Sequence, residues 1–146
     1  MRPIKQFFTG TLTRFAVGKD CKCAISANST IFFCTHDEQF DNMGGFLSAN
    51  GFQKIISEKD FPREKSLSTL GVPDHVMFDF SLSYLDKLHQ TGKPFLAAYL
   101  TGSDHGPYII PENIPFHPKA NDMKQKIVEY ADWSVNHFLD ECHKHA

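Results

Sequence analysis

Two short apolar runs constrain this chain more than anything else in it. Residues 30–35 read Thr-Ile-Phe-Phe-Cys-Thr, and residues 95–101 read Phe-Leu-Ala-Ala-Tyr-Leu-Thr. Neither run alternates apolar with polar residues, and both are rich in strand formers. A half-solvated strand must alternate, because successive side chains point to opposite faces. A continuous run of this length suits a strand covered on both faces, as in a parallel sheet. Parallel strands need crossover connections, so the segments between the runs should supply helices.

They do so in order. Residues 40–51 read as a short helix, with Asp41 or Asn42 as its cap and Gly51 as its left-handed stop. Residues 52–56 give a second, more polar strand, expected nearer an edge. Residues 57–73 carry charges, serines, Pro62 and Gly71 and read as a loop. Asp74 opens a clear helix after Pro73. Met77, Phe80, Tyr84 and Leu88 share one face of it, Phe78, Leu82 and Leu85 widen that face, and Gly92 closes it. Residues 102–107 form a turn, and residues 108–118 an irregular Pro-rich loop. Asn121 or Asp122 caps a last helix whose apolar stripe comprises Met123, Ile127, Val128, Ala131, Val135, Phe138, Leu139 and Cys142. The order strand, helix, strand, helix, strand, helix predicts an α/β sandwich. Three readable strands fall short of the five or six of an average sheet, and a long last helix is expected to lead to a further strand. The pattern therefore reads as an incomplete domain.

Composition narrows the function classes. The 146 residues suffice for one domain with a real core. A formal net charge of -2 excludes the basic phosphate-neutralising surface of a typical nucleic-acid binder. Fourteen Phe among 13% aromatic residues exclude an acidic disordered tail. No apolar run approaches the ~18 residues that span a bilayer. Residues 1–19 are basic but lack a continuous apolar core, so no secretory signal is expected there. Residues 1–29 are the least legible part, with Phe7, Phe8, Leu12, Phe15 and Val17 in no clean period. Cys21 and Cys23 form C-x-C without a second close pair, so these, Cys34 and Cys142 are expected as free thiols, Cys34 as a small buried hydrophobe.

Sites in open α/β sheets form at the carboxyl ends of strands. Two loops stand there, Thr35-His36-Asp37-Glu38 and Ser103-Asp104-His105-Gly106. Each joins a His to an acid directly after a strand, which suits anion recognition by a ring N–H or metal ligation; an ordinary polar turn has the same composition. His75 and His89, at helix ends, are expected to be solvated. His117 could face the site. Trp133 and His137 flank the core stripe as packing residues, and His143 with His145 makes an H-x-H on a frayed terminus. There is no G-x-S-x-G elbow, phosphate-cradling Gly loop or Cys-x-Pro-x-Arg motif. Thr9, Thr11 and Thr13 are candidate nucleophiles only by default.

The motifs then resemble a known family. Ile31-Phe-Phe-Cys-Thr-His-Asp-Glu-Gln-Phe-Asp-Asn-Met-Gly-Gly-Phe-Leu47 is similar to a stretch of the sulfatase-type, lipoteichoic-acid-synthase-like family. So are Asn50-Gly-Phe-Gln-Lys-Ile-Ile56, Gly71-Val-Pro-Asp74, Lys93-Pro-Phe-Leu96, Leu100-Thr-Gly-Ser-Asp-His-Gly-Pro-Tyr108 and the helix around Tyr130 and Phe138. They stand in the family's order over roughly residues 30–142. The resemblance implies an α/β fold, a partial alkaline-phosphatase-like three-layer sandwich with a mostly parallel sheet. Residues 1–29 would be an unmatched arm and residues 30–146 a partial catalytic domain.

The family hydrolyses sulfate esters or transfers phosphoglycerol or phosphoethanolamine groups. It uses a Thr, Ser or formylglycine nucleophile and a divalent metal such as manganese, zinc or calcium. Its membrane-anchored members work outside the cytoplasm. By this resemblance His105 is the residue that contacts the phosphate or sulfate of the ester, and Asp37 is a second substrate-side residue. His36 departs from the family's Gly and Asp104 from its Asn. The nucleophile and metal ligands are not visible, so the chain is expected to be inactive alone, with no metal ligands of its own. A non-catalytic anion- or metal-binding module is the alternative. Neither nucleic acid nor a membrane segment is expected, and self-association through an incomplete sheet is.

Overall fold

The structure, a computed structural model, describes residues 29–144. The arm at residues 1–28, with Thr9, Thr11, Thr13, Cys21 and Cys23, lies outside them, as does His145.

Three strands form one parallel sheet: β1 (Ser29–Cys34), β2 (Lys54–Ile56) and β3 (Phe95–Leu100), in the order β2-β1-β3. Ile31 faces Lys54 across one pair and Ala97 across the other. β1 is central, and from Thr30 to Cys34 its residues are buried on both faces, as its unbroken apolar run requires. The strand begins at Ser29, one residue before the run read from sequence. β2 is shorter than expected: Phe52 lies before it and packs edge-on against Phe32, ring centroids 5.3 Å apart.

Helices cover both faces, giving three layers. On one side α1 (Met43–Ala49) sets Leu47 against Phe32 and Cys34, with Ala98 and Leu100 of β3 at the margin. On the other, α2 (Asp74–Gln90) and α3 (Met123–Lys144) pack together over Ile31, Phe33 and Ile56. Aromatic rings fill that layer. Phe33 stacks on Tyr99 at 4.8 Å, and Phe78 of α2 stacks on Phe138 of α3 at 4.7 Å. Among the described residues, no helix is long and apolar enough to cross a membrane.

Local chemistry explains most of the helix limits. Gly92, at φ +65°, lets the chain leave α2, and Gly51, at φ +94°, lets it leave α1. Asp122 caps α3, its Oδ1 accepting from the backbone N–H of Lys124 (2.9 Å) and Gln125 (3.3 Å). The start of α1 differs from expectation. Asp41 and Asn42 both adopt left-handed backbone, at φ 51° and 53°, and neither caps the helix with its side chain. The Gly44 N–H instead donates to the Glu38 carbonyl at 2.8 Å.

The stripe on α3 also differs. Met123 (40% exposed) and Val128 (61%) stand outward, while Tyr130 and Ser134 are buried. The helix rotates to bury Tyr130 because its hydroxyl has a partner inside, the Nδ1 of His75 at 2.6 Å. His75 is therefore not solvated: it is half-buried, against Tyr130 and Trp133. His89 is exposed, as expected. Trp133 and His137 stack at 5.4 Å, and His137 Nε2 lies 3.1 Å from Asp79 Oδ1, so both join α2 to α3.

Candidate functional site

The sheet order fixes where a site belongs. The connection leaving β1 passes over one face through α1, and the connection leaving β3 leads to α3 on the other. Neighbouring strands whose outgoing loops diverge open a crevice at their carboxyl ends, the switch point of an open α/β sheet. Here that crevice lies between β1 and β3, and the two His-acid loops stand at its two sides.

On the β1 side, Thr35 is fully buried and His36 half-buried, with Thr35 Oγ1 3.5 Å from His36 Nδ1. Burial pushes the His36 ring below the usual histidine range, although Glu58 and Asp37 oppose that shift. A neutral ring keeps one nitrogen as donor and one as acceptor. Asp37 is exposed, and its Oδ1 accepts from the Gln39 N–H at 2.9 Å, which tightens the loop. Glu38 is buried. Its carboxylate accepts from the hydroxyl of Ser57 and pairs with the ammonium of Lys59, both just beyond β2. A side chain on Gly44 would collide with Glu38. An open cleft of about 650 Å³ runs along Asp37, Glu38, Lys59, Arg63 and Ser66.

On the β3 side, the Gly102-Ser103-Asp104-His105 turn is closed by the His105 N–H donating to the Gly102 carbonyl at 3.1 Å. Asp104 and His105 are exposed. Gly102 is packed so closely that an added Cβ would lie 2.6 Å from Thr35 Oγ1. A pit of about 20 Å³, roughly one water in size, opens beside Ser103 and Ile109. The two sides are joined from below by the 71–74 segment. The Val72 N–H donates to the Thr35 carbonyl at 3.2 Å, and Asp74 reaches the 102–103 backbone.

The structure thus places His36, Asp37, Asp104 and His105 at one edge of the sheet. His117 stands exposed on the 108–118 loop. Sequence reading missed the buried pair Glu38 and Ser57, which the exposed Lys59 caps, and it took Asp74 for a helix opener alone. Among the described residues no group of three or more His, Cys, Asp or Glu side chains could hold a metal ion. The described residues by themselves therefore do not fit the divalent metal that the resemblance implies. Cys34 and Cys142 are free and buried; burial lifts the Cys34 thiol to about 12, so it is not a thiolate nucleophile.

No protein-family model and no curated protein matches the chain. Solved structures do. The lipoteichoic acid synthase LtaP from Listeria monocytogenes superposes with a TM-score of 0.68 at 25% identity, over 80% of this chain and 30% of that one. A protein in the alkaline phosphatase superfamily from Vibrio parahaemolyticus superposes with a TM-score of 0.69 at 26% identity, over 82% of this chain and 29% of that one. This chain has an alkaline-phosphatase-like fold, similar to that of lipoteichoic acid synthase. It spans about a third of the length of the solved structures it matches.

Proposed function

We propose that residues 30–146 are part of a metal-dependent sulfatase or phosphoglycerol/phosphoethanolamine transferase domain acting on phosphate or sulfate esters. His105 is its contact to the ester's anionic oxygens, Asp37 is a further substrate-side residue, and the chain is inactive alone. One observation carries this reading: the His105 turn stands at the β1/β3 switch point of an alkaline-phosphatase-like sheet. A ring N–H held there can bind a non-bridging oxygen and stabilise the charge that grows on it. By the same resemblance the intact enzyme works outside the cytoplasm and takes manganese, zinc or calcium. Its metal ligands would come from outside residues 29–144.

A second reading is a module that binds an anion or a cation at the same edge without turnover. One observation favours it: the open cleft that Lys59 and Arg63 share with Asp37 and Glu38 offers charges of both signs.

One assay separates these readings from a self-contained enzyme. The purified chain and its His105→Ala variant are given p-nitrophenyl phosphate, bis-p-nitrophenyl phosphate and p-nitrophenyl sulfate, each with manganese, zinc or calcium. The expected result is no turnover above the variant. Metal-dependent turnover that vanishes in His105→Ala would mean a complete site within this chain and would sink both readings.

A further inference from the structure

An acid at the start of a helix ordinarily caps that helix's own N–H groups. Asp74 does not. Its Oδ1 accepts from the backbone N–H of Gly102 (2.8 Å) and of Ser103 (3.2 Å), and its own N–H donates to Ser103 Oγ at 3.3 Å. The side chain is turned away from α2 and toward the end of β3. Asp74 is fully buried, and its Oδ2 makes no hydrogen bond. A buried carboxylate that spends its partnered oxygen on two amides of another loop is costly, and such a cost calls for a reason.

The reason lies in the turn that those amides begin. Gly102 and Ser103 are its first half, and the Gly102 carbonyl holds the N–H of His105. Gly102 is also wedged against Thr35, so the turn is pinned from β1 and from α2 together. Without the carboxylate, two amides at the base of the turn would lose their acceptor, and an exposed loop would be free to sample other conformations.

We propose that Asp74 is a positioning residue: its buried carboxylate fixes the Gly102–Ser103 backbone and thereby presents the His105 ring at the β1/β3 edge in the geometry an anionic oxygen needs. This rests on the reading of His105 as the anion contact. A donor held in place before binding costs no ordering at the moment of binding, so the effect appears as affinity.

The test uses the full chain, labelled with 15N and 13C, as wild type, Asp74→Ala, Asp74→Asn and His105→Ala. Three quantities are read: amide exchange at Gly102 and Ser103, the ring carbon–proton signal of His105, and binding of inorganic phosphate. Asp74→Ala should speed exchange at both amides about tenfold or more, a lost hydrogen bond's worth. It should also move the His105 ring signal toward that of a free histidine and weaken phosphate binding as far as His105→Ala does. Asp74→Asn keeps an acceptor oxygen in place and should restore most of each effect, which a general packing defect would not show.

Unchanged exchange and an unchanged His105 signal in Asp74→Ala overturn the proposal. So does wild-type phosphate affinity in Asp74→Ala when His105→Ala binds weakly. Phosphate binding unaffected by His105→Ala instead removes the anion-contact reading, while the exchange and ring signals still decide whether Asp74 holds the turn. Should Asp74→Ala not fold, Asp74→Ser, whose shorter side chain cannot reach both amides, is read in its place. Faster exchange at Gly102 and Ser103 with a shifted His105 ring signal in Asp74→Ser, both restored in Asp74→Asn, is the expected result. Wild-type exchange and an unchanged ring signal in Asp74→Ser overturn the proposal.

Discussion

Gly71 and Gly102 show how tightly the strand ends are drawn together. Gly71 sits at φ +74°, and a Cβ there would be driven into the Thr35 backbone carbonyl. Gly102 lacks that strain but would press its Cβ on Thr35 Oγ1, a side chain that is fully buried and has little room to swing. Gly92 has the positive φ of +65° with open space around it. The three alanine variants should therefore rank in cost. Gly92→Ala costs about 1 kcal/mol of left-handed strain, Gly102→Ala about 2 kcal/mol of overpacking, and Gly71→Ala both together, roughly 3 kcal/mol or more. Urea midpoints at constant slope would read the series, and a Gly71→Ala variant no less stable than Gly92→Ala would contradict it. At this scale the sequence was legible for position: the loops that carry His36, Asp37 and His105 do follow β1 and β3. It was silent on Asp74, because the partners that turn its carboxylate lie 28 and 29 residues away in the chain. From sequence it is one more acid at a helix start.

Elements were more legible than their facings. The spacing of Met77, Phe80, Tyr84 and Leu88 predicts α2 and its inner side, and Met77 is fully buried there. The apolar pattern of α3 is ambiguous, because Val128 and Tyr130 compete for the inside. Hydropathy favours Val128, but the structure favours Tyr130, whose ring packs on Phe116 and Trp133 and whose hydroxyl finds His75. A buried hydroxyl needs a partner on another element, and hydropathy cannot see one. The practical consequence is a contrast within one helix. Phe138→Ala removes a ring stacked on Phe78 and set against Tyr99 at 5.2 Å. It should cost about 3–5 kcal/mol. Val128→Ala, at a position 61% exposed, should stay within about 0.5 kcal/mol. Thermal or urea unfolding of the two variants checks the orientation of α3, and a Val128→Ala cost matching that of Phe138→Ala would mean the helix is turned the other way.

The whole molecule is a three-layer sandwich whose sheet has two edges of unlike character. β2 is three residues long and carries Lys54, and short charged edges resist pairing with a second chain. β3 is six residues long, Phe-Leu-Ala-Ala-Tyr-Leu, with no charge, and every residue of it is only half-buried. Among the described residues it pairs with β1 on one side alone. Its Ala98 and Leu100 pack in the cluster around Leu47 of α1, a helix of seven residues, and Leu96, opposite Thr30, alternates onto the same face. A sheet edge that is long, uncharged and apolar offers a row of unpaired backbone groups as a template for a further strand. The chain on its own is therefore expected to associate through β3. Sedimentation velocity across a tenfold concentration series should show a rising mean mass for the wild type. Leu96→Lys, which places a charge on that edge strand without touching the α2–α3 core, should shift the series toward monomer, whereas the same change at Ile55 of β2 should not. A monodisperse wild-type monomer at every concentration would show that β3 is already covered, and Leu96→Lys would then lower the unfolding midpoint instead of the mass.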